Sequence, residues 1–315
     1  VVRVVTPGTV IEPGLLQKTH NNYLATVFYV ENHAGIAYVD ISTGEFATTE
    51  IKDKNIINQI RSELFRLQPS EILWPDSLPQ IEGLPGFISP YESWHYELDR
   101  CTEHLQEHFE VTTLEGFGLR GKTIAIRAAG AILSYLEDTQ RQSLKLLTSL
   151  NTYTLDEFMV LDAETRRNLE LTETIRTGKK QGSLLGILDV SQTPMGGRLL
   201  HRWVSKPLLN VEQIRHRQDA VEYFFKHGLI RAEAIDALES FYDLERLTNR
   251  IISGHAIPRD LVSLRENLNR LAGLKAIFKD QPPALKDTLA KIHDCKDPLA
   301  LLTSAIQDNP PATLA

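Results

Sequence analysis

Hydrophobic positions recur along the chain in two rhythms, and the change between them divides it. Residues 23–30 (YLATVFYV) form a β-branched and aromatic run closed by a turn-like Glu31–Gly35. A second run, Ile36 to Ile41, leads through Ser42-Thr43-Gly44 into a third, Phe46 to Ile51. Strands joined this tightly predict an antiparallel meander. The period then becomes helical, with Ile56, Ile57, Ile60, Leu64 and Leu67 ahead of Pro69. Short strands are expected at 71–74 and 86–89. Two further helices follow, one on Leu98, Cys101, Leu105 and Phe109, the other on Ala125, Ala129, Ile132, Leu133 and Leu136, continuing towards Leu147. A meander followed by alternating helices and strands predicts a ribonuclease-H-like α/β domain with a mixed sheet over residues 1–150, its first 20 residues linker-like.

Beyond residue 150 strand signals almost vanish, and residues 151–315 read as an all-α region. Thr193 is an N-cap before Pro194, with Met195, Leu199, Leu200 and Trp203 as the inner face; Pro207 ends that helix. Asn210, with Gln213 three residues on, caps the next. Its Ile214, Val221, Phe224 and Phe225 are expected to face inward, and Gly228 to close it. Pro258 opens the longest helix, where Leu261, Leu264, Leu268, Leu271 and Phe278 approximate a heptad seam. Pro282-Pro283 breaks it before two shorter helices.

Composition refines this picture. With 42% hydrophobic and 24% charged residues the chain is an ordinary globular one. No apolar run approaches the ~18 residues of a membrane span, and no signal peptide is recognisable. Cys101 and Cys295 lack a disulfide framework, which fits a reducing, cytoplasmic compartment. The net charge of −7 falls on residues 1–150, with 12 Lys+Arg against 19 Asp+Glu; the rest balances at 22 of each. Neither half is a basic nucleic-acid surface. Arg176 to Arg217 carries eight basic residues against Asp189 and Glu212, which reads as a solvated helix face and otherwise as a phosphate contact. The start on Val1 to Val5 without Met, and the close at Asn309-Pro310-Pro311 and an apolar tail, predict an internal piece of a larger soluble protein.

Three groups of residues carry candidate chemistry. Gly116-Phe117-Gly118-Leu119-Arg120-Gly121-Lys122-Thr123 satisfies G-x-x-x-x-G-K-[ST], in which backbone N–H groups cradle phosphates while Lys122 and Thr123 reach phosphate and Mg²⁺. Val111 to Leu114 could be the strand before it, and Asp162, ending Phe158 to Leu161, the acidic partner. Against a P-loop NTPase stands the all-helical stretch of about 190 residues downstream, which holds no strands for a parallel sheet. A Gly-rich turn is the competing reading. Asp40 could centre a metal-dependent nuclease, although Glu45, Glu63, Asp76 and Asp99 show no spacing that brings them to it. An Asp that starts the turn completed by Ser42 and Gly44 is the plainer assignment. Cys101, His104 and His108 share a helical face able to bind zinc, but Glu103 and Glu107 beside them point to an exposed polar face.

Two segments are specific enough to name a family. Residues 159–171 (MVLDAETRRNLEL) resemble the start of the core domain of MutS DNA mismatch-repair proteins. Leu188-Asp189, Thr193 to Leu200 and Trp203 to Leu208 resemble that family's next block. Upstream, Val4 to Thr9, Asn21 to Leu24 and Tyr38 to Phe46 are similar to its linker and connector domain. The resemblance implies a connector over 1–150 and a core/lever region over 151–315, truncated before the clamp. In that family an N-terminal domain reads the mismatch with an aromatic wedge and clamp helices grip the duplex. A C-terminal ATPase, holding ATP and Mg²⁺, drives a homodimer to a sliding clamp that recruits MutL. Those parts would lie before Val1 and after Ala315. By the same resemblance the Gly116–Thr123 match is coincidental, no catalytic, cofactor or metal residue is carried over, and the connector is the face for a MutL-like partner.

Overall fold

The computed structural model describes residues 5–12, 14–280 and 282–311. Of the tail expected over residues 1–5 only Val5 is among them, and the apolar end at 312–315 lies outside them. Packing divides the chain into two compact units. One runs to Leu188 and takes in Val204–Lys206; the other comprises Asp189–Trp203 and the chain from Pro207 onward.

The first unit is built on six strands: β1 (Leu24–Val30), β2 (His33–Asp40), β3 (Glu45–Lys52), β4 (Glu71–Pro75), β5 (Phe87–Tyr91) and β6 (Asn151–Thr152). Their order is β5-β4-β1-β2-β3-β6. The meander β1-β2-β3 is antiparallel, with Val27 opposite Ile36 and Ala37 opposite Thr48. The outer strands run parallel to their neighbours. This is the mixed ribonuclease-H-like sheet that the sequence predicts.

Period-two alternation sends side chains to two cores. Ala25, Val27, Ile36, Tyr38 and Ile72 meet Ile60 and Leu64 of α1 (Ile56–Leu67). Leu24, Ala37, Val39, Phe46 and Leu73 meet α2 (Leu98–Phe109) and α3 (Thr123–Gln140). Alanines and Gly130 on α3 let it lie close. A Cβ on Gly130 would stand 2.4 Å from that of Cys101, and one on Gly35 only 2.2 Å from the Ile124 carbonyl oxygen. The helix ends at Gln140, with a 3-10 turn over Arg141–Leu146 where the sequence predicted its continuation. The linker-like start is partly packed: Gly8 and Thr9 are buried, and Gly8 N–H donates to Glu71 Oε2 at 2.9 Å.

Two short helices, α4 (Ala163–Asn168) and α5 (Leu184–Leu188), close this part of the chain. The remainder is helical: α6 (Pro194–Ser205), α7 (Val211–Lys226), α8 (Gly228–Glu239), α9 (Leu244–Ile252), α10 (Pro258–Ile277), α11 (Lys286–Ala290) and α12 (Lys296–Ala305). The predicted caps form. Thr193 Oγ1 accepts Gly196 N–H at 3.1 Å, and Asn210 Oδ1 accepts Gln213 N–H at 3.0 Å. Within the second unit α10 packs on α8, α9 and α12. Ala234, Phe278 and Leu285 form the centre of a small core, flanked by Tyr223 and Phe224.

Two expectations for α7 fail. Gly228 starts α8 rather than closing α7 with a left-handed residue, because the two helices follow with only His227 between them. Val221 and Phe225 do not face inward either; Phe225 is 79% exposed. Helical spacing brings Tyr223 and Phe224 to the core and turns Val221 and Phe225 away from it.

Candidate functional site

The predicted carboxylates do not converge. Asp40, at the end of β2, is fully buried, and both its oxygens are filled by neutral donors. Oδ1 accepts the Ser42 backbone N–H at 2.9 Å and its hydroxyl at 2.6 Å. Oδ2 accepts Asn21 Nδ2 at 2.9 Å and Asn22 N–H at 3.1 Å. With Gly44 at φ 74° this is the turn-starting aspartate. Glu45 accepts the hydroxyls of Tyr23 and Tyr38. Asp76 binds Ser93. Asp99 sits in the first turn of α2. Glu63 lies on α1, across the sheet from α2 and α3. Among the described residues no three His, Cys, Asp or Glu side chains gather as a metal site.

The Gly116–Thr123 segment has the glycines of a phosphate loop, with Gly118 and Gly121 at positive φ, but not its setting. Val111–Leu114 is irregular, so no strand feeds the loop, and it runs through a 3-10 turn at Glu115–Phe117. The N-terminus of α3, where a phosphate would dock, already holds an anion. Glu50 Oε2 of β3 accepts Ile124 N–H at 2.9 Å and Ala125 N–H at 3.1 Å. Asp162, the proposed acidic partner, instead caps α4 by accepting Thr165 N–H at 2.6 Å.

Cys101, His104 and His108 share a face of α2 but are turned to separate partners, and the face is not the exposed one expected. Cys101 is buried, its thiol towards the His95 and Arg127 carbonyls. His104 lies between Ser134 Oγ and Glu137, and His108 Nε2 meets the Leu147 carbonyl at 2.7 Å. Burial pushes the Cys101 thiol up to about 12, whereas Cys295 is exposed. A thiol reagent is therefore expected to modify one cysteine of the native chain, Cys295, and to reach Cys101 only on denaturation. Counting labelled thiols by mass before and after adding urea checks this.

His95 stacks between Tyr91, with ring centres 4.0 Å apart, and Trp94 at 3.6 Å. Burial and, secondarily, the Arg100 charge hold its pKa below the usual 6.5. Above that value both folded and unfolded chains keep it neutral. Below it the unfolded chain gains a proton that the folded one refuses, so stability falls as pH drops through about 6.5. Urea midpoints between pH 7.5 and 5.5 should show this decline, and His95→Phe, which keeps the stack, should flatten it.

A cleft in the first unit gathers charges of which the sequence singled out only Glu63. It is lined by α1, by residues 153–161, by Arg166 of α4, and by Ser205 and Lys206. Glu63, 3% exposed, receives Arg66 through both Nε and Nη2 and also accepts the Tyr153 hydroxyl. Burial raises the Glu63 carboxyl, but the charge and hydrogen bonds of Arg66, with Tyr153's, outweigh it and hold it below the usual carboxylate range. Lys206 Nζ lies 4.4 Å over the Tyr153 ring and 5.1 Å from the centre of Phe158. Arg166 donates to the Leu161 carbonyl at 3.1 Å and the Ser205 carbonyl at 2.6 Å. Burial, then repulsion from Arg66, lower its pKa to about 10. The enclosed part of the cleft measures about 30 Å³, room for one or two waters. In sequence, the i, i+3 pair Glu63/Arg66, beside Gln59 and Ser62 on the same side of α1, was the available signal.

The basic stretch 176–217 is divided among different jobs. Arg176 and Lys179 are exposed in a loop. Arg217 stacks 3.9 Å over Trp203. Arg198 is 3% exposed, bound to both oxygens of Asp243 at 2.7 and 2.8 Å and to Glu245 at 2.6 Å. The solvated-face reading thus holds for the loop and fails for Arg198, which ties α6 to α9.

Comparison with known proteins gives these features a setting. The family model for MutS domain II matches residues 22–148, and that for MutS domain III matches residues 164–315. The DNA mismatch repair protein MutS of Alkaliphilus oremlandii is 40% identical over 325 residues, covering 100% of this chain and 37% of that protein. The protein of the same name from Nostoc punctiforme is 41% identical, over 99% of this chain and 36% of its own length. That from Synechococcus elongatus is 43% identical, over 90% and 34%. The chain thus spans little more than a third of the length of these curated relatives. With a mixed-sheet unit matching the second domain and helices matching the third, in that order, the chain belongs to the MutS family of DNA mismatch-repair proteins.

Proposed function

We propose that this chain is the non-catalytic connector and lever part of an ATP-dependent MutS-like protein that recognises mismatched DNA and starts mismatch repair. The observation that carries this is the match of domains II and III in order along a chain 40% identical to DNA mismatch repair proteins. In this reading ATP and Mg²⁺ are bound by another part of the longer protein, which works in the cytoplasm as a homodimer on mismatched duplex. The connector offers the surface for a MutL-like partner. The helices relay nucleotide state to the DNA clamp. A helix such as α10, 20 residues long, is a stiff rod of about 30 Å, suited to such a relay. The filling of the α3 N-terminus by Glu50 supports the absence of a nucleotide role for Lys122 and Thr123.

Cross-linking and pull-down with a MutL-like protein test the connector role, which fails if neither captures the chain. An ATP titration of the same chain is expected to show no binding. Saturable binding lost in Lys122→Ala would restore the NTPase reading, and Mg²⁺-dependent cleavage lost in Asp40→Asn the nuclease one. Among the described residues no helix is long and apolar enough to cross a membrane.

A further inference from the structure

Two boundaries in the chain do not coincide. The match to MutS domain III begins at residue 164, yet the chain stays packed in the first unit as far as Leu188. Val204–Lys206 then return to that unit, so α6 (Pro194–Ser205) starts in the second unit and ends in the first. A clasp made wholly of first-unit residues holds its end. Ser205 is 3% exposed, and its carbonyl, one of the acceptors a helix end leaves open, receives Arg166 Nη2 at 2.6 Å. Arg166 Nε binds the Leu161 carbonyl at 3.1 Å, so one guanidinium joins the end of α6 to the segment 153–161. Lys206 Nζ lies over the rings of Tyr153 and Phe158 in that same segment. The segment is in turn fixed to β3 and α1. Tyr153 N–H donates to the Thr48 carbonyl at 3.1 Å, its carbonyl accepts Thr49 Oγ1 at 2.8 Å, and its hydroxyl donates to Glu63.

We propose that this clasp is a coupling device: it locks the last turn of α6 into the first unit and so makes the stability of the helical unit depend on the α/β unit. Helices form cooperatively, and the first ordered turn is the costly one. With its last turn already held, α6 propagates from a nucleus that the first unit supplies. Arg198, in the second turn of α6, carries the constraint on to α9 through Asp243 and Glu245. The second unit gains from such support because its core is small, centred on Ala234, Phe278 and Leu285. The first has a core on each face of a six-stranded sheet. The device needs no nucleotide, DNA or partner, so its test stands apart from the mismatch-repair reading.

Hydrogen exchange of the full chain at graded urea, read by mass spectrometry, gives each unit its own midpoint, from peptides over residues 24–40 and 220–240. In the parent chain the last turn of α6 is expected to exchange with the strands of the first unit. Lys206→Ala and, separately, Arg166→Met should speed exchange of that turn about tenfold, as loss of a cation–π or charge-assisted contact does. Each should also lower the 220–240 midpoint by more than that of 24–40. Lys206→Arg, which keeps a cation over the two rings, should restore both readings. Should Arg166→Met lose its fold, the Lys206 pair carries the test. The proposal is overturned if the 220–240 midpoint falls no further than that of 24–40. It is equally overturned if the last turn of α6 exchanges with the second unit in the parent, or if Lys206→Arg behaves as Lys206→Ala does.

Discussion

Replacing Gly35 by valine is expected to destabilise the first unit by about 3 kcal/mol or more, the upper end of what overpacking costs. Strand propensity alone argues the opposite. Valine is among the best strand residues and glycine among the worst, a difference of up to about 1 kcal/mol. The contact decides the sign. A Cβ at Gly35 would meet Ile124 O at 2.2 Å, Ile124 C at 2.5 Å and Ala125 N at 2.8 Å, all main-chain atoms of the first turn of α3. No rotamer can relieve such a clash, and moving α3 outward would take Ile124 and Ala125 off Glu50. Urea unfolding followed by sheet circular dichroism checks the prediction; a variant as stable as the parent would mean that α3 does not lie this close. Gly35→Ala should show a smaller loss of the same sign.

Arg198→Met should cost the second unit about 2–3 kcal/mol, short of the ~3–5 for breaking a fully buried ion pair because Asp243 and Glu245 stay 18% and 47% exposed. The guanidinium is 3% exposed and satisfies two carboxylates, one of which, Asp243, also caps α9 by accepting Arg246 N–H at 3.3 Å. Methionine fills much the same volume, so the loss reports stranded charge rather than a hole. Adding Asp243→Asn and Glu245→Gln to Arg198→Met should recover part of the stability, and the non-additivity of this cycle measures the coupling. If the triple variant is no better than Arg198→Met, packing and not charge explains the residue. Thermal unfolding of the four chains supplies the comparison.

How far the sequence reaches can be judged residue by residue. Alternation over 23–51 and the tight turns at Glu31–Gly35 and Ser42–Gly44 led directly to the meander, because a two-residue period leaves one arrangement for a sheet covered on both faces. Thr193, Asn210 and Pro258 announced helix starts through local chemistry, which needs no tertiary partner. The same local rules misplaced Gly228 and the inner face of α7. Which hydrophobic residues of a helix are covered depends on the neighbouring helices, and that is not encoded in spacing alone. The candidate chemistry was still less legible. Gly116–Thr123 and Cys101/His104/His108 have the right residue types. Yet Glu50, 73 residues before Thr123, occupies the helix end, and the thiol and imidazoles turn to backbone and side chains of other segments.

By itself the sequence determined the sheet, the division into an α/β part and a helical part, the principal caps and the family, since all rest on local periodicity and on ordered blocks of residues. Only the tertiary structure decided which charges are used up and which are left. Glu50 and Arg198 are consumed by partners distant in the chain, as is Asp40 Oδ2 by Asn21 and Asn22, while Asp40 Oδ1 serves the local turn at Ser42. Arg66 and Arg166, brought together from α1 and α4, line one small cleft although 100 residues separate them in the chain. Charge pairing is settled by distance and desolvation in space, and a linear sequence specifies neither until the chain has folded.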